Sequence, residues 1–204
     1  MRKAASYNMR SAMLALILLL LSAAGCVMAR DGNVKPPAQW PLHSNQQVKK
    51  SIALRVLDAT EQMGSGQGTS TDAADDVRAQ AVKAYTESGL FSTVVTTGES
   101  TDLKADITLG EGSGGLSWSG VFSALTLTMI PGVVSQDVIT NTIYKDRQQK
   151  VIGTIVKTEG LGSWIQFFLL FAMPFVDSPN AIMDKAQYDI HRATIEEAYR
   201  KGFF

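Results

Sequence analysis

Apolar and polar residues alternate along several short stretches of the chain, a period of two that is typical of half-buried β-strands. On this basis strands are predicted at residues 51–58, 90–97 and 104–109. The clearest alternation, at residues 137–145 and 149–158, lies on either side of a short polar turn. Two alternating segments joined in this way predict a β-hairpin.

Two other stretches repeat apolar residues every three or four positions, which is the spacing of one helix face. The first begins at Thr71 or Asp72 and ends near Ser88, followed by Gly89 as a C-cap. The second runs from Pro179 to about Lys201, and proline is favoured at the first helical position. These elements predict an α+β fold: a mixed or antiparallel sheet of about five strands with two amphipathic helices packed on it.

Two segments are more apolar than the rest of the domain, residues 116–134 and residues 164–176. The first includes a further predicted strand at residues 124–130. The second suits a buried core element by its length, or an exposed surface that contacts a membrane or a partner. It is too short to span a bilayer as a helix. Its candidate contact residues are aromatic: Trp164, Phe167, Phe168, Phe171 and Phe175.

The N-terminus has the layout of a secretory signal, residues 1–25. Three basic residues precede an unbroken apolar run at residues 13–21, and Ser22-Ala23-Ala24-Gly25 leads directly into Cys26, the one cysteine of the chain. This arrangement resembles the signal and lipobox of bacterial lipoproteins. The resemblance implies cleavage before Cys26, lipidation of Cys26, and an anchor in the membrane. Val27 stands where the family's inner-membrane signal is Asp, which implies the periplasmic face of the outer membrane.

Residues 26–48 are polar and carry Pro36, Pro37 and Pro41. Because proline clusters resist both helix and sheet, this segment is predicted to be an extended tether that follows the lipidated cysteine. Trp40 is expected to dock on the domain. The tether would lead into a single periplasmic domain at residues 49–204.

The helix exit Ser88-Gly89-Leu90-Phe91 occurs within a strand–helix–strand pattern at residues 51–100. This pattern resembles the small periplasmic domains of ring-forming outer-membrane lipoproteins of the curli secretion channel type, in which a helix ends in Ser-Gly-x-Phe before a strand. The resemblance implies an assembly role and a homo-oligomer.

Charge and cysteine content exclude several classes of protein. The first 25 residues carry three of the 19 basic residues and none of the 19 acidic ones, so the mature chain has a net charge of −3. A mildly acidic chain without a basic cluster is not expected to bind nucleic acid. With Cys26 lipidated, the chain can form neither a disulfide nor a cysteine-based metal site.

Catalytic motifs are matched weakly or not at all. Gly110-x-Gly112-x-x-Gly115 has the spacing of a dinucleotide fingerprint, but the residues after it are poor helix formers. The glycines at 64–68 precede no lysine, so they form no P-loop. The two histidines, His43 and His191, are interpreted as surface residues. No catalytic residues, metal site or cofactor are predicted.

The sequence therefore predicts a non-enzymatic, lipid-anchored protein of the cell envelope with a structural or assembly role. Its partners would be the membrane, through lipidated Cys26, and envelope proteins or further copies of the chain. The alternative is a lipoprotein that binds or carries an apolar ligand between its strands and residues 164–176.

Overall fold

The computed structural model describes residues 25–43, 48–58, 71–96, 100–111, 115–116 and 130–204. Residues 1–24 of the predicted signal lie outside the described residues. So does the strand predicted at residues 124–130, except for its last residue, Ile130.

The described residues form an α+β structure with a mixed sheet and two α-helices, as predicted. The strands are β1 Gly25–Arg30, β2 Lys50–Asp58, β3 Phe91–Val95, β4 Leu103–Glu111, β5 Gly115–Leu116, β6 Gly132–Asp146 and β7 Val151–Gln166. The helices are α1 Thr71–Glu87 and α2 Pro179–Arg200, with two 3-10 helices at Phe167–Phe171 and Met173–Phe175.

The sheet has seven strands where about five were expected. Six of them follow the order β1-β7-β6-β4-β2-β3, and β5 pairs with β6. Strand β2 is parallel to both β3 and β4, whereas β4 and β6 are antiparallel. Because a parallel pair needs a crossover, α1 connects β2 to β3 across one face of the sheet. The additional strands are β1 and β5, which the alternation pattern did not predict.

The core lies between the helices and one face of β2, β4 and β6. Strand β2 contributes Ile52 and Leu54, and β4 contributes Leu103, Ala105 and Ile107, every second residue in each case. The helical residues packed on them are Ala81, Ala84 and Tyr85 from α1 and Ile195 and Ala198 from α2. Small residues on the helix faces allow close approach to the sheet. The same cluster includes the C-terminal Phe204.

Chain contacts divide the described residues into two compact units. The first unit consists of residues 25–29, 115–116, 130–135 and 162–179. The second unit consists of the remaining described residues and contains α1 and, from Asn180 onwards, α2. The single domain at residues 49–204 stays a prediction.

The expected tether is corrected for residues 26–43. Cys26 to Arg30 lie in β1, which is paired with β7 in the sheet. Beyond β1, the N–H of Asp31 donates to the carbonyl of Gly160 at 2.9 Å, and the N–H of Leu42 donates to the carbonyl of Ser88 at 3.1 Å. The prolines disfavour strand pairing at positions 36–41, but they do not prevent the flanking backbone from bonding to β7 and to the end of α1 within the second unit.

Candidate functional site

The exposed apolar side chains of the first unit are the most unusual surface feature among the described residues. Trp164 near the end of β7 is 55% exposed. Phe168 and Phe171 in the first 3-10 helix are 56% and 68% exposed, and Phe175 in the second is 87% exposed. Three more residues of this unit are also exposed: Ile130, Met173 and Val176. We call these seven residues the apolar surface.

Local geometry explains why the apolar run at residues 164–176 does not form one buried helix. The run is divided between the end of β7 and two 3-10 helices of five and three residues, and Pro174 lies in the first turn of the second. In a 3-10 helix, residues three apart lie on the same side. Phe168 and Phe171 therefore share one side. The side chain of Phe167, another predicted contact residue, lies outside the description.

Of the two alternatives for this run, the four described aromatic residues favour an exposed surface over a core element. Within the described part of the chain, no helix combines the length and the hydropathy that a membrane span requires.

Cys26, the predicted lipidation site, is the second residue of β1 and is a partly buried free thiol. Strand β1 is the sheet neighbour of β7, and β7 leads directly into the first 3-10 helix. Cys26 and the apolar surface belong to the same compact unit.

Charge is nearly absent from this unit. Asp177 is the one charged residue among residues 25–29, 115–116, 130–135 and 162–179. The second unit, by contrast, carries the ion pairs of the described structure. The first unit therefore combines exposed aromatic rings with an uncharged surrounding sequence.

Within the second unit, the chain from Arg30 to Val34 is held to β7 by a buried carboxylate, Glu159. Its Oε1 accepts from Arg30 Nε at 3.0 Å and from the N–H of Gly32 at 3.2 Å. Its Oε2 accepts from the N–H of Val34 at 2.6 Å. Glu159 is fully buried, so these three donors replace the water that a carboxylate otherwise needs. We call Glu159 and its partners Arg30, Gly32 and Val34 the latch.

Arg30 connects the latch to α2. Its Nη1 donates to Oδ2 of Asp189 at 2.7 Å. Burial disfavours the guanidinium charge, but hydrogen bonds to Asp189 and Glu159 outweigh it and raise the pKa of Arg30. Strand β7, helix α2 and the segment after Cys26 are thus joined through one arginine. Sequence reasoning missed this set because Arg30 and Glu159 are 129 positions apart.

Trp40 docks on the second unit, as predicted. It packs against the core cluster, and the guanidinium carbon of Arg192 lies 5.0 Å from the centre of its ring. Arg192 also donates to the carbonyl of Pro37 at 3.4 Å and forms an ion pair with Asp189 at 3.3 Å. Residues 30–42 are therefore attached to α2 at two separated points.

The interpretation of His191 as a surface residue was wrong. His191 is fully buried on the sheet-facing side of α2, beside the buried residues Ile190 and Thr194. Burial lowers its pKa from 6.5 to about 4, so it is neutral at pH 7. His43 is exposed, as predicted.

The glycine spacing that begins at Gly110 does not form a nucleotide-binding site in the described part of the chain. Gly110 lies within β4 and Gly115 begins β5, so the glycine spacing continues into sheet and not into a phosphate-binding helix. Among the described residues, no three side chains of His, Cys, Asp or Glu are grouped so that they could hold a metal ion.

No protein-family model matches this chain, and no curated protein matches it. Among solved structures, it is similar to the PelC dodecamer from Paraburkholderia phytofirmans, with 8% identity and a TM-score of 0.36, over 83% of this chain and 96% of that one. A PelC variant gives 10% identity and the same TM-score, over 83% and 95%.

A putative neuraminyllactose-binding hemagglutinin homolog from Helicobacter pylori is similar at 11% identity and a TM-score of 0.44, over 83% of this chain and 96% of that one. All three TM-scores are too low to support an inference about function. The function must therefore be argued from the residues of this chain.

Proposed function

We propose that this protein is a non-enzymatic, lipid-anchored component of the cell envelope whose first unit lies against the membrane. Its role is structural or in assembly, at the periplasmic face of the outer membrane. The observation that carries the proposal is the occurrence of Cys26 and the apolar surface in one compact unit.

The energetics of anchoring support this arrangement. A single acyl chain gives marginal, reversible binding, whereas the several chains of a lipidated cysteine are enough for stable anchoring. Acylation of Cys26 would supply the anchor, and the apolar surface would add contact area that orients the first unit against the bilayer. Complete burial of one Phe side chain is worth about 1.5–3 kcal/mol. Phe175, at 87% exposure, has the most to gain.

The low charge of the first unit supports a membrane over water as its surroundings. Charged groups are costly at the depth that an inserted aromatic ring reaches, whereas Trp is favoured at the interface itself. With Asp177 as the one charge among its described residues, this unit meets little such cost. Trp164 would lie at the level of the headgroups.

Because residues 26–43 do not form a free tether, the lipid on Cys26 would be attached to the folded protein without a spacer. Residues 30–42 belong to the second unit and are bonded within it, and Cys26 lies in strand β1 of the sheet. We infer that the lipid holds the folded protein at the bilayer directly, without a flexible spacer of several nanometres.

The lipid is tested by mass spectrometry of the protein isolated from cells. The mature chain is expected to begin at Cys26 and to carry the added mass of its acyl chains. An intact leader, or an unmodified thiol on a mature chain, would exclude the proposed anchor.

Membrane contact of the apolar surface is tested with the full lipidated chain in vesicles of brominated phospholipids. Bromine quenches nearby indoles, so fluorescence from Trp164 is expected to fall. In a Trp118→Phe background, which leaves Trp40 and Trp164 as the two indoles, Trp164→Phe should remove most of that quenching, while Trp40→Phe, in the second unit, should leave it. Equal quenching with and without Trp164→Phe in that background would show that Trp164 is not at the bilayer.

A further inference from the structure

A polar cavity lies in the second unit, on the sheet face away from the core. It is a cavity of about 190 Å³ over β2, β4 and β6, beside the turn that joins β6 to β7. This volume exceeds the ~30 Å³ share of one water molecule and is below that of drug-sized pockets. Its polar lining residues are Arg55, Thr96, Lys104, Asp106, Lys145 and Gln149.

Strand register explains how the cations come together. Lys104 of β4 is paired with Lys145 of β6, directly opposite on antiparallel strands. On the other side of β4, Arg55 of β2 is paired with Asp106. Side chains at positions 53, 55, 104, 106 and 145 share one face because the pleat alternates. Like charges directly opposite one another destabilise a sheet unless something compensates them.

Within the cavity, that compensation is incomplete. Lys145 Nζ donates to Oδ2 of Asp106 at 2.5 Å, and Asp106 is 8% exposed, so this pair is neutral and sheltered. Arg55 and Lys104 have neither an ion pair nor a side-chain hydrogen bond with any described residue. Two positive charges therefore remain at the cavity of a mature chain whose net charge is −3.

The chemistry of these groups selects a ligand class. A guanidinium presents a planar fork that matches the oxygens of phosphate, and an ammonium adds a compact point charge. Two charges complement a phosphate monoester, which carries about −1.5 to −2 at pH 7, better than a single carboxylate. The Thr96 hydroxyl and the Gln149 amide add neutral donors at the same cavity.

We propose that the cavity formed by Arg55, Lys104, Thr96 and Gln149 binds a phosphate group. The phosphate belongs to a small phosphorylated molecule or to an anionic lipid headgroup. This site is separate from the apolar surface, and its existence does not depend on the proposed membrane role.

The experiment is calorimetric titration of the full mature chain in neutral detergent with inorganic phosphate, and with acetate as the monovalent comparison. Phosphate should bind more tightly than acetate. Arg55→Gln with Lys104→Gln should weaken phosphate binding at least tenfold. Lys185→Gln, which removes an exposed lysine of α2, is the matched control and should leave the affinity unchanged.

Two further variants separate binding from folding. Arg55→Lys with Lys104→Arg keeps both charges and should retain most of the affinity. Asp106→Asn removes the carboxylate that neutralises Lys145 and should tighten phosphate binding, which a purely structural role of Asp106 would not do.

Competition between inorganic phosphate and vesicles of phosphatidic acid would identify a lipid source, and lack of competition would identify a soluble one. Absence of phosphate binding at millimolar concentrations, or equal binding by Arg55→Gln with Lys104→Gln, would overturn the proposal.

Discussion

Two aromatic-rich segments of this chain have opposite surroundings. In the second unit, Phe204 is 8% exposed, and its ring centre lies 4.9 Å from that of Phe91 and 5.6 Å from that of Tyr144. Tyr85 and Tyr144 below it are fully buried and share a hydrogen bond between their hydroxyls at 2.6 Å. In the first unit, Trp164, Phe168, Phe171 and Phe175 are more than half exposed.

The difference shows that burial of an aromatic residue depends on what packs against it. The C-terminal phenylalanines follow a 22-residue helix that lies on the sheet, and that helix returns them to the core. The apolar run follows a strand and continues as short 3-10 helices. Aromatic content alone therefore does not distinguish a stabilising segment from a segment available for contact.

The largest expected effect on stability comes from Phe204→Ala compared with Phe175→Ala. Truncating the buried ring should lower the free energy of unfolding by about 3–5 kcal/mol, through lost transfer energy and a new cavity. Truncating the exposed ring should change it by less than about 0.5 kcal/mol. Urea unfolding of both variants measures the two values. Equal losses would remove the distinction between the segments.

Glu159→Gln tests the latch that joins Arg30, Gly32 and Val34 to β7 within the second unit. The change removes the charge that faces Arg30 and weakens the acceptor for two backbone N–H groups. Breaking a buried pair on one side costs about 3 kcal/mol or more. Urea unfolding measures this loss. Hydrogen exchange at Gly32 and Val34 should increase, whereas exchange in α1 should change only as much as global stability does.

The expected control for this variant is Glu196→Gln, at a partly exposed position of α2. It should leave both stability and exchange at Gly32 and Val34 near wild type. Unchanged exchange in Glu159→Gln would mean that other contacts hold the segment.

His191 makes the stability of the second unit depend on pH. Its pKa is lowered from 6.5 to about 4 by burial, so between these values the unfolded chain binds a proton that the folded chain does not. Stability should therefore fall as pH falls, by about 2 kcal/mol between pH 8 and pH 5. His191→Leu should abolish this part of the dependence, as measured by urea unfolding across the range.

Glu197 does not complicate that measurement. Hydrogen bonds from Lys157 and Lys201 lower its pKa from 4.5 to about 2. Its stabilising contribution is complete above pH 4.5 and is lost only as pH falls towards 2. An identical pH profile for His191→Leu and wild type between pH 5 and pH 8 would show that His191 is not the group responsible.

The smallest expected effect on stability, combined with a large one on binding, comes from Phe168→Ser with Phe171→Ser. Both side chains are more than half exposed, so unfolding should shift by about 0.5 kcal/mol per site or less. Retention on vesicles of the full lipidated chain should fall, because two inserted rings are lost. Flotation with vesicles measures retention.

Val151→Ser with Val156→Ser is the matched control, since these valines are 53% and 58% exposed in the second unit. It should leave retention unchanged. If Phe168→Ser with Phe171→Ser unfolds the protein, the two rings belong to the core. If the double variant dissociates an oligomer while retention on vesicles persists, the rings contact another copy of the chain.

Regular elements were predicted well because their signals are local. Helix α1 was placed within a residue of its observed ends, and Gly89 has the positive φ of +73° that a C-cap requires. The hairpin was also correct, but both of its strands are longer than predicted. Burial alternates clearly along the second half of β6 but not along its first residues or along most of β7, so those parts carried no clear period.

Strand β1 was missed for a related reason. Its six residues include the cysteine and are too few to establish a period, and the prolines that come after them suggested an extended tether. Its pairing with β7 depends on a strand that lies more than 100 positions further along the chain. The pattern of neighbouring residues cannot predict a strand partner so far away in the sequence.

The sequence by itself determined the α+β class, the two helices and the hairpin, because periodicity and helix caps depend on neighbouring residues. Tertiary structure alone decided that Glu159 meets Arg30, that His191 is buried, that Lys104 faces Lys145, and that the aromatic run is exposed. Each of these features depends on which distant segment packs against a side chain, and the local spacing of residues does not determine that contact.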